Sequence, residues 1–219
     1  MRTLRTATFV SLDGVMQAPG GPEEDPRGGF EYGGWTFPFW NEKLGGLMDR
    51  AMGEDYDLLL GRCTYEIFAA YWPHMNDEIG RKFNAVNKYV ATGLDTPLDW
   101  AHSHRLEGDL AKAVRALKAT KGRDLLIQGS SEVIHTLLAN DLIDQLTILT
   151  FPVILGRGKR LFDENSRPHA WTLESSDTST TGVIVGTYQR SGKVPTGSFA
   201  DDNPSAAELE RRERWARKG

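Results

Sequence analysis

Two stretches decide the fold: LLLGRCTYE at residues 58–66 and LLIQGSSEV at residues 125–133. Each opens as a nearly continuous apolar run, the pattern of a strand buried on both faces of a parallel sheet. Each then meets a glycine and passes into residues with helical spacing. The helix N-terminus created by such a turn offers unpaired backbone N–H groups and the positive end of a dipole, and glycine lets an anion come close to the backbone. In the first turn Cys63 and Thr64 present amides, the Thr64 hydroxyl adds a donor, and Arg62 adds a planar cation suited to phosphate. In the second, Ser130 and Ser131 supply hydroxyls and amides. The same glycines also permit tight strand-to-helix packing, and serine and threonine also serve as caps. Two such turns at the carboxyl ends of strands in an open sheet, however, lie where ligands bind. Neither turn continues as Gly-Lys-Ser/Thr and neither is a full G-x-G-x-x-G, which argues against a nucleotide kinase and against an ordinary Rossmann enzyme.

Outward from these turns the chain keeps alternating. Residues 4–12, LRTATFVSL, read as a first strand ending at the turn Asp13-Gly14. Residues 20–40 are rich in glycine, proline and aromatic side chains, a long loop folded over something. Residues 41–51 have helical spacing through Leu44, Leu47, Met48 and Ala51, with Asn41 as cap. Strands are expected over 56–61, 88–91, 124–127 and 145–152, with helices over 64–71, 109–119 and 132–139. Strands alternating with helices mean βαβ units. Two further strands, 171–176 and 182–189, have no helix between them and read as an antiparallel hairpin closing one edge. The expectation is an α/β domain over residues 1–192, a three-layer fold with a mostly parallel central sheet, an antiparallel C-terminal edge and helices on both faces. Residues 193–219 form a polar tail whose short charged helix, from Ser205 to Lys218, starts at a capping box of Ser205 and Glu208.

Composition narrows the function. With 219 residues, 39% of them hydrophobic, such a chain buries about 70% of its unfolded surface. A formal net charge of -4 and a pI near 5.8 give no basic field for nucleic acid or an anionic bilayer. No run approaches the roughly 18 apolar residues of a membrane span, and residues 1–9 lack the apolar core of an export signal. A soluble cytoplasmic protein is expected. The lone cysteine, Cys63, suits a reducing cytosol and builds neither an internal disulfide nor a cysteine zinc site. His74, His102, His104, His135 and His169 are scattered, so no metal site is expected. The aromatic residues between Trp35 and Trp40, with Tyr65 and Trp72, either wall a pocket for a flat ring or belong to the core.

Five strings together carry a resemblance: SLDG at 11–14, LLGRCTYE at 59–66, KYVAT at 88–92 with DW at 99–100, IQGSSEV at 127–133, and LIDQLTILTFPVILGRGKRLF at 142–162. In this order, over about residues 3–190, the chain resembles the dihydrofolate reductase-like superfamily. The last string resembles in particular the branch holding the reductase domain of bacterial riboflavin-biosynthesis enzymes. The resemblance implies NADPH as cofactor, with Gly61, Arg62 and Thr64 at its phosphates and Gly129, Ser130 and Ser131, followed by Glu132 and Val133, on the pyrophosphate and nicotinamide side. It places Thr92 near the adenosine, and Ala7 with the loop from Asp13 through Gly14 and Val15 to Met16 near the nicotinamide. Its implied substrate is a flat nitrogen heterocycle, a pteridine or pyrimidine, or an open-chain pyrimidine ribose as in the riboflavin step. Its candidate catalytic residues are Asp13 and Glu42, the latter at the helix start where Asn41 is the alternative. Glu42 would orient or protonate a heterocycle if desolvated, or would be an exposed first-turn glutamate favoured by the helix dipole. Gln128 stands where the riboflavin-pathway reductases usually have glutamate, a departure from their pattern. A homodimer built on the strand at 145–151 is also implied. Two other functions stay open: a nucleotide-binding sensory module without turnover, and an interaction protein that docks through its tail.

Overall fold

Strand β2 (Tyr56–Gly61) is buried along its whole length, as its apolar run requires. The computed structural model, which describes residues 1–93, 95–200 and 203–217, sets it in an eight-stranded sheet. The other strands are β1 (Leu4–Ser11), β3 (Lys88–Ala91), β4 (Ser103–Leu106), β5 (Asp124–Ile127), β6 (Gln145–Phe151), β7 (Ala170–Thr178) and β8 (Ile184–Gly192). Their spatial order is β4-β3-β2-β5-β1-β6-β8-β7. The first six are parallel, β8 runs antiparallel to β6, and β7 pairs antiparallel with β8 as the expected edge hairpin.

Alternating side chains send Leu58 and Leu60 to one face and Leu59 to the other. On the first face lie α1 (Glu42–Met52), α2 (Arg62–Tyr71) and α3 (Glu78–Ala85), and α1 contributes the stripe Leu44, Leu47, Met48, Ala51 and Met52. On the second lie α4 (Leu110–Ala119) and α5 (Ser131–Ala139), whose Val114, Ile134 and Leu137 pack on Leu59, Leu125 and Ile127. The Asn41 side chain caps α1 by accepting from the Leu44 N–H at 2.8 Å.

Two elements lie outside the expectations. Helix α3 offers only Ile79 and Phe83 as large apolar residues over eight positions, and its start rests on Asp77, which accepts from the Gly80 N–H at 2.7 Å. Strand β4 reads SHRL and is held by main-chain pairing to β3. Within the long loop, short 3-10 turns occur at Arg27–Gly29 and Phe37–Phe39. In the tail, α6 (Ala206–Ala216) buries none of its residues. The Ser205 half of its capping box forms, whereas the Glu208 carboxylate turns to Arg211 and Arg212 at 2.6 and 2.8 Å. Lys218, the expected last residue of that helix, lies outside the described residues. Among the described residues no helix is long and apolar enough to cross a membrane.

Candidate functional site

Strands β2 and β5 are neighbours, with Leu58 opposite Leu126, so the two glycine turns leave the sheet side by side. The Gly61 N–H donates to the Gly129 carbonyl at 3.4 Å, and the Gly129-Ser130 peptide is cis. A methyl group at Gly61 would stand 2.2 Å from Ser130 Oγ, and one at Gly129 would stand 2.7 Å from Thr64 Oγ1. Each glycine leaves the space that a hydroxyl of the other turn occupies.

The helices that follow differ from the rest. Asn41, Asp77, Asp109 and Ser205 cap α1, α3, α4 and α6 through their side chains. Helices α2 and α5 have no side-chain cap. Their first-turn amides therefore remain available as donors. Both open on one cavity of about 910 Å³, at the upper end of the range for ligand pockets.

One side of this cavity is polar and formed by the turns, with Ala7, Arg62, Cys63, Thr64 and residues 128–132. The opposite wall is apolar and comes from Phe37, Trp40 and the inward residues of α1, α2 and α3. The loop at residues 16–27 covers the space between them. Trp35 pins that loop by donating from Nε1 to the Gln17 carbonyl at 2.8 Å, and Arg27 ties it to α2 by donating to Cys63 Sγ at 2.8 Å.

The two acidic residues of this loop that line the cavity, Glu24 and Asp25, behave differently. Burial alone would raise Asp25, but hydrogen bonds from Arg27 and Lys159, at 2.5 and 2.9 Å, outweigh it and hold the carboxyl at about 2. Burial pushes the Glu24 carboxyl above its usual range, against the hydrogen bonds it accepts from the Gly20 and Gly21 amides. On the turn side, Arg62 is braced by Glu66 one helical turn on, at 2.9 Å.

Of the residues expected at the site, Ala7, Arg62, Thr64, Gly129, Ser130, Ser131 and Glu132 line the cavity together. Gly61 lies behind them against Ser130, and Val133 is buried in the core beneath α5. Gly14 and Val15 do not reach it, because Val15 is fully buried and bridges to Arg160; Met16, the last residue of the expected loop, does line it, and so does Gln17 beyond it. Thr92 borders a separate cavity of about 550 Å³ with Arg105, Glu107 and Leu110, next to the first turn because Ala91 pairs with Gly61.

The two candidate acids are corrected. Asp13 is a structural pin: its carboxylate accepts from Ser11 Oγ at 2.6 Å and from the Leu155 and Gly156 amides at 3.1 and 2.8 Å. Burial would raise it, yet those bonds keep it at about 2, so it holds no proton to give at neutral pH. Glu42 is exposed in the first turn of α1 and does not line the cavity. Asp49 does line it, seven residues and about 10 Å further along the same helix face. Sequence reading also missed Glu24, Lys159 and Arg105. The spacing from Glu42 to Asp49 was a usable signal, whereas Glu24 and Lys159 meet only through the folded loop.

The RibD C-terminal domain family model matches residues 2–185. The Bacillus subtilis protein YwjB is 30% identical over 161 residues, which cover 71% of this chain and 79% of that protein. Among solved structures, a putative riboflavin biosynthesis protein from Shewanella sp. PV-4 matches with a TM-score of 0.61 at 22% identity, covering 87% of this chain and 99% of that one. Dihydrofolate reductase from Enterococcus faecalis, solved with NADP(H), matches with a TM-score of 0.54 at 16% identity, covering 86% and 96%. These two likenesses establish the common fold.

Proposed function

We propose, from the premise that the chain belongs to the RibD C-terminal domain family, a family of the reductase type, that it is an NADPH-dependent reductase acting on a pteridine- or pyrimidine-type heterocycle. The observation that carries this reading is the pair of uncapped helix starts, α2 and α5, opening side by side on one large cavity. Free amides at two adjacent helix N-termini suit a ligand with two linked phosphates. Thr64, Ser130 and Ser131 add hydroxyls to that cradle, and Arg62 adds a planar cation. Thr92 and Arg105, at the smaller cavity along the same sheet edge, would take the adenosine end. When bound, NADPH supplies the hydride.

The chain's own residues supply position and a proton. Ala7 keeps the floor of the cavity low where a ring must lie, and the loop at residues 16–27 forms part of its lining. Reduction of a C=N bond adds hydride to carbon and a proton to nitrogen. Asp25 is held ionised and cannot give that proton. Glu24, whose burial favours its protonated form, is the lining carboxyl suited to do so.

Titration of the purified protein with NADPH and NADH, read by tryptophan fluorescence, tests the cofactor. Failure to bind NADPH at millimolar concentration defeats the proposal. Cofactor oxidation is then followed with dihydrofolate and with the riboflavin-pathway pyrimidine as substrates. Binding without oxidation of either favours the nucleotide-binding module without turnover. With a substrate in hand, Glu24→Gln should lower turnover by about 100-fold at unchanged NADPH affinity, and an unaltered rate would remove Glu24 from the chemistry.

A further inference from the structure

Glu24 presents its carboxyl to a turn of two glycines. The Gly20 and Gly21 amides both donate to Oε2, at 2.5 and 3.1 Å. Among the described residues no group shares a hydrogen bond with Oε1, although the side chain lines the cavity. The two oxygens of this one carboxyl are therefore unequal. Oε2, already met by two N–H groups, has no place for a hydrogen of its own, so in the protonated acid the hydrogen sits on Oε1.

The turn is held from behind. The Gly34 N–H donates to the Ala18 carbonyl at 2.8 Å, and Thr36 Oγ1 donates to the Pro19 carbonyl at 2.7 Å. A methyl group at Gly33 would stand 2.5 Å from the Gly21 carbonyl oxygen and 2.7 Å from Pro22 Cα, so the two arms of the loop meet backbone to backbone. Gly20 is required by a different contact. Its φ is not positive, yet a methyl group there would stand 2.9 Å from Glu24 Oε2, in the space the carboxylate takes. Gly21, whose φ is not positive either, has open space where a side chain would go. One glycine of the pair is tied to the carboxyl and the other is not.

We propose that Gly20 is a positioning residue for the proton donor: the Gly20-Gly21 turn holds Oε2 and leaves Oε1 to carry the proton and give it up. This rests on the reading above, in which Glu24 supplies the proton of the reduction. When the Oε1–H bond breaks, its electron pair stays on the carboxyl and the proton goes to the substrate nitrogen, while the adjoining carbon takes the hydride that NADPH supplies. The charge left behind is met by two amides already aimed at it, with no rearrangement of the loop. Burial raises the Glu24 carboxyl, the two amide bonds draw it back, and Asp25 adds to the rise. The other charged side chains bordering the cavity are Arg27 and Lys159, both bound to Asp25, Arg62 and Glu132 beside the turns, and Asp49 on α1.

The carboxyl is read directly in the ligand-free protein, by NMR of isotope-labelled glutamate carboxyls over a pH series, the Glu24 signal being the one that Glu24→Gln removes. Gly20→Ala should move the Glu24 titration to higher pH, because bonds that favour the ionised form are lost. Gly21→Ala should leave it in place. The side chain added at position 20 meets only the tip of a flexible one, so the variant keeps its fold. With a substrate in hand, Gly20→Ala should also lower turnover by about tenfold and carry the alkaline limb of the pH profile upward, at unchanged NADPH affinity. An unmoved titration in Gly20→Ala overturns the proposal, and so does an equal movement in Gly21→Ala. Full turnover in Glu24→Gln is a distinguishable result: it removes the donor reading itself, whatever the titration shows.

Discussion

Gly61 shows how a residue can be required by a neighbour rather than by its own backbone angles. Its φ of -76° is open to any residue, yet a side chain there would collide with Ser130 Oγ at 2.2 Å and press on Val133 at 3.1 Å. Gly61→Ala should therefore lower stability by about 1–3 kcal/mol through overpacking, read from urea midpoints. Ser130→Gly in the same chain should restore most of the loss, because the two positions share one space. Strictly additive losses would show that the collision is not the cause. The sequence made the glycine turns visible but not this reason for them, because the contact exists only once β5 lies beside β2. The same limit applies to Asp13: its place after a strand was readable, while its bonds to the Leu155 and Gly156 amides were more than a hundred residues away.

Helix α3 owes its end to one buried ammonium group. Lys88, at the start of β3, is fully buried and donates from Nζ to the carbonyls of Phe83 and Asn84 at 2.8 and 3.3 Å, with the Trp100 ring 4.3 Å away. These carbonyls belong to the last turn of α3, where a cation is favourable. Burial nevertheless brings the Lys88 amine down from 10.5 to about 8. Between these two values the unfolded chain binds the proton and the folded chain has released it, so this group makes stability rise with pH over that window. Comparing melting temperatures of the protein and of Lys88→Met at pH 7.5 and pH 10 isolates the effect. The difference between the two proteins should shift in favour of the unaltered one at pH 10, and a pH-independent difference would contradict it. Neither α3 nor β4 was legible in the sequence. An eight-residue helix with two large apolar residues has almost no periodicity to detect, and SHRL has the composition of a loop because its order comes from main-chain bonds to β3.

At the scale of the whole molecule, the alternation of buried strands and helices gave the layers, the parallel block and the antiparallel edge directly from periodicity. Strand order was another matter. That β5 enters between β2 and β1 is what sets the two glycine turns shoulder to shoulder, and no local pattern encodes it. The long loop was recognisable as folded from its aromatic content, while the pairing of Asp25 with Lys159 depended on where that loop closes. The helix starts carry a last consequence. A missing cap costs about 0.5–2 kcal/mol, and α2 and α5 both lack one, so the free protein is the less durable form. A ligand that fills those amides at a hundred times its dissociation constant adds about 2.7 kcal/mol. Marginal stability governs how long a chain escapes proteases, so if the proposed cofactor binds there, the lifetime of this protein, and with it its abundance, would rise and fall with the supply of that cofactor.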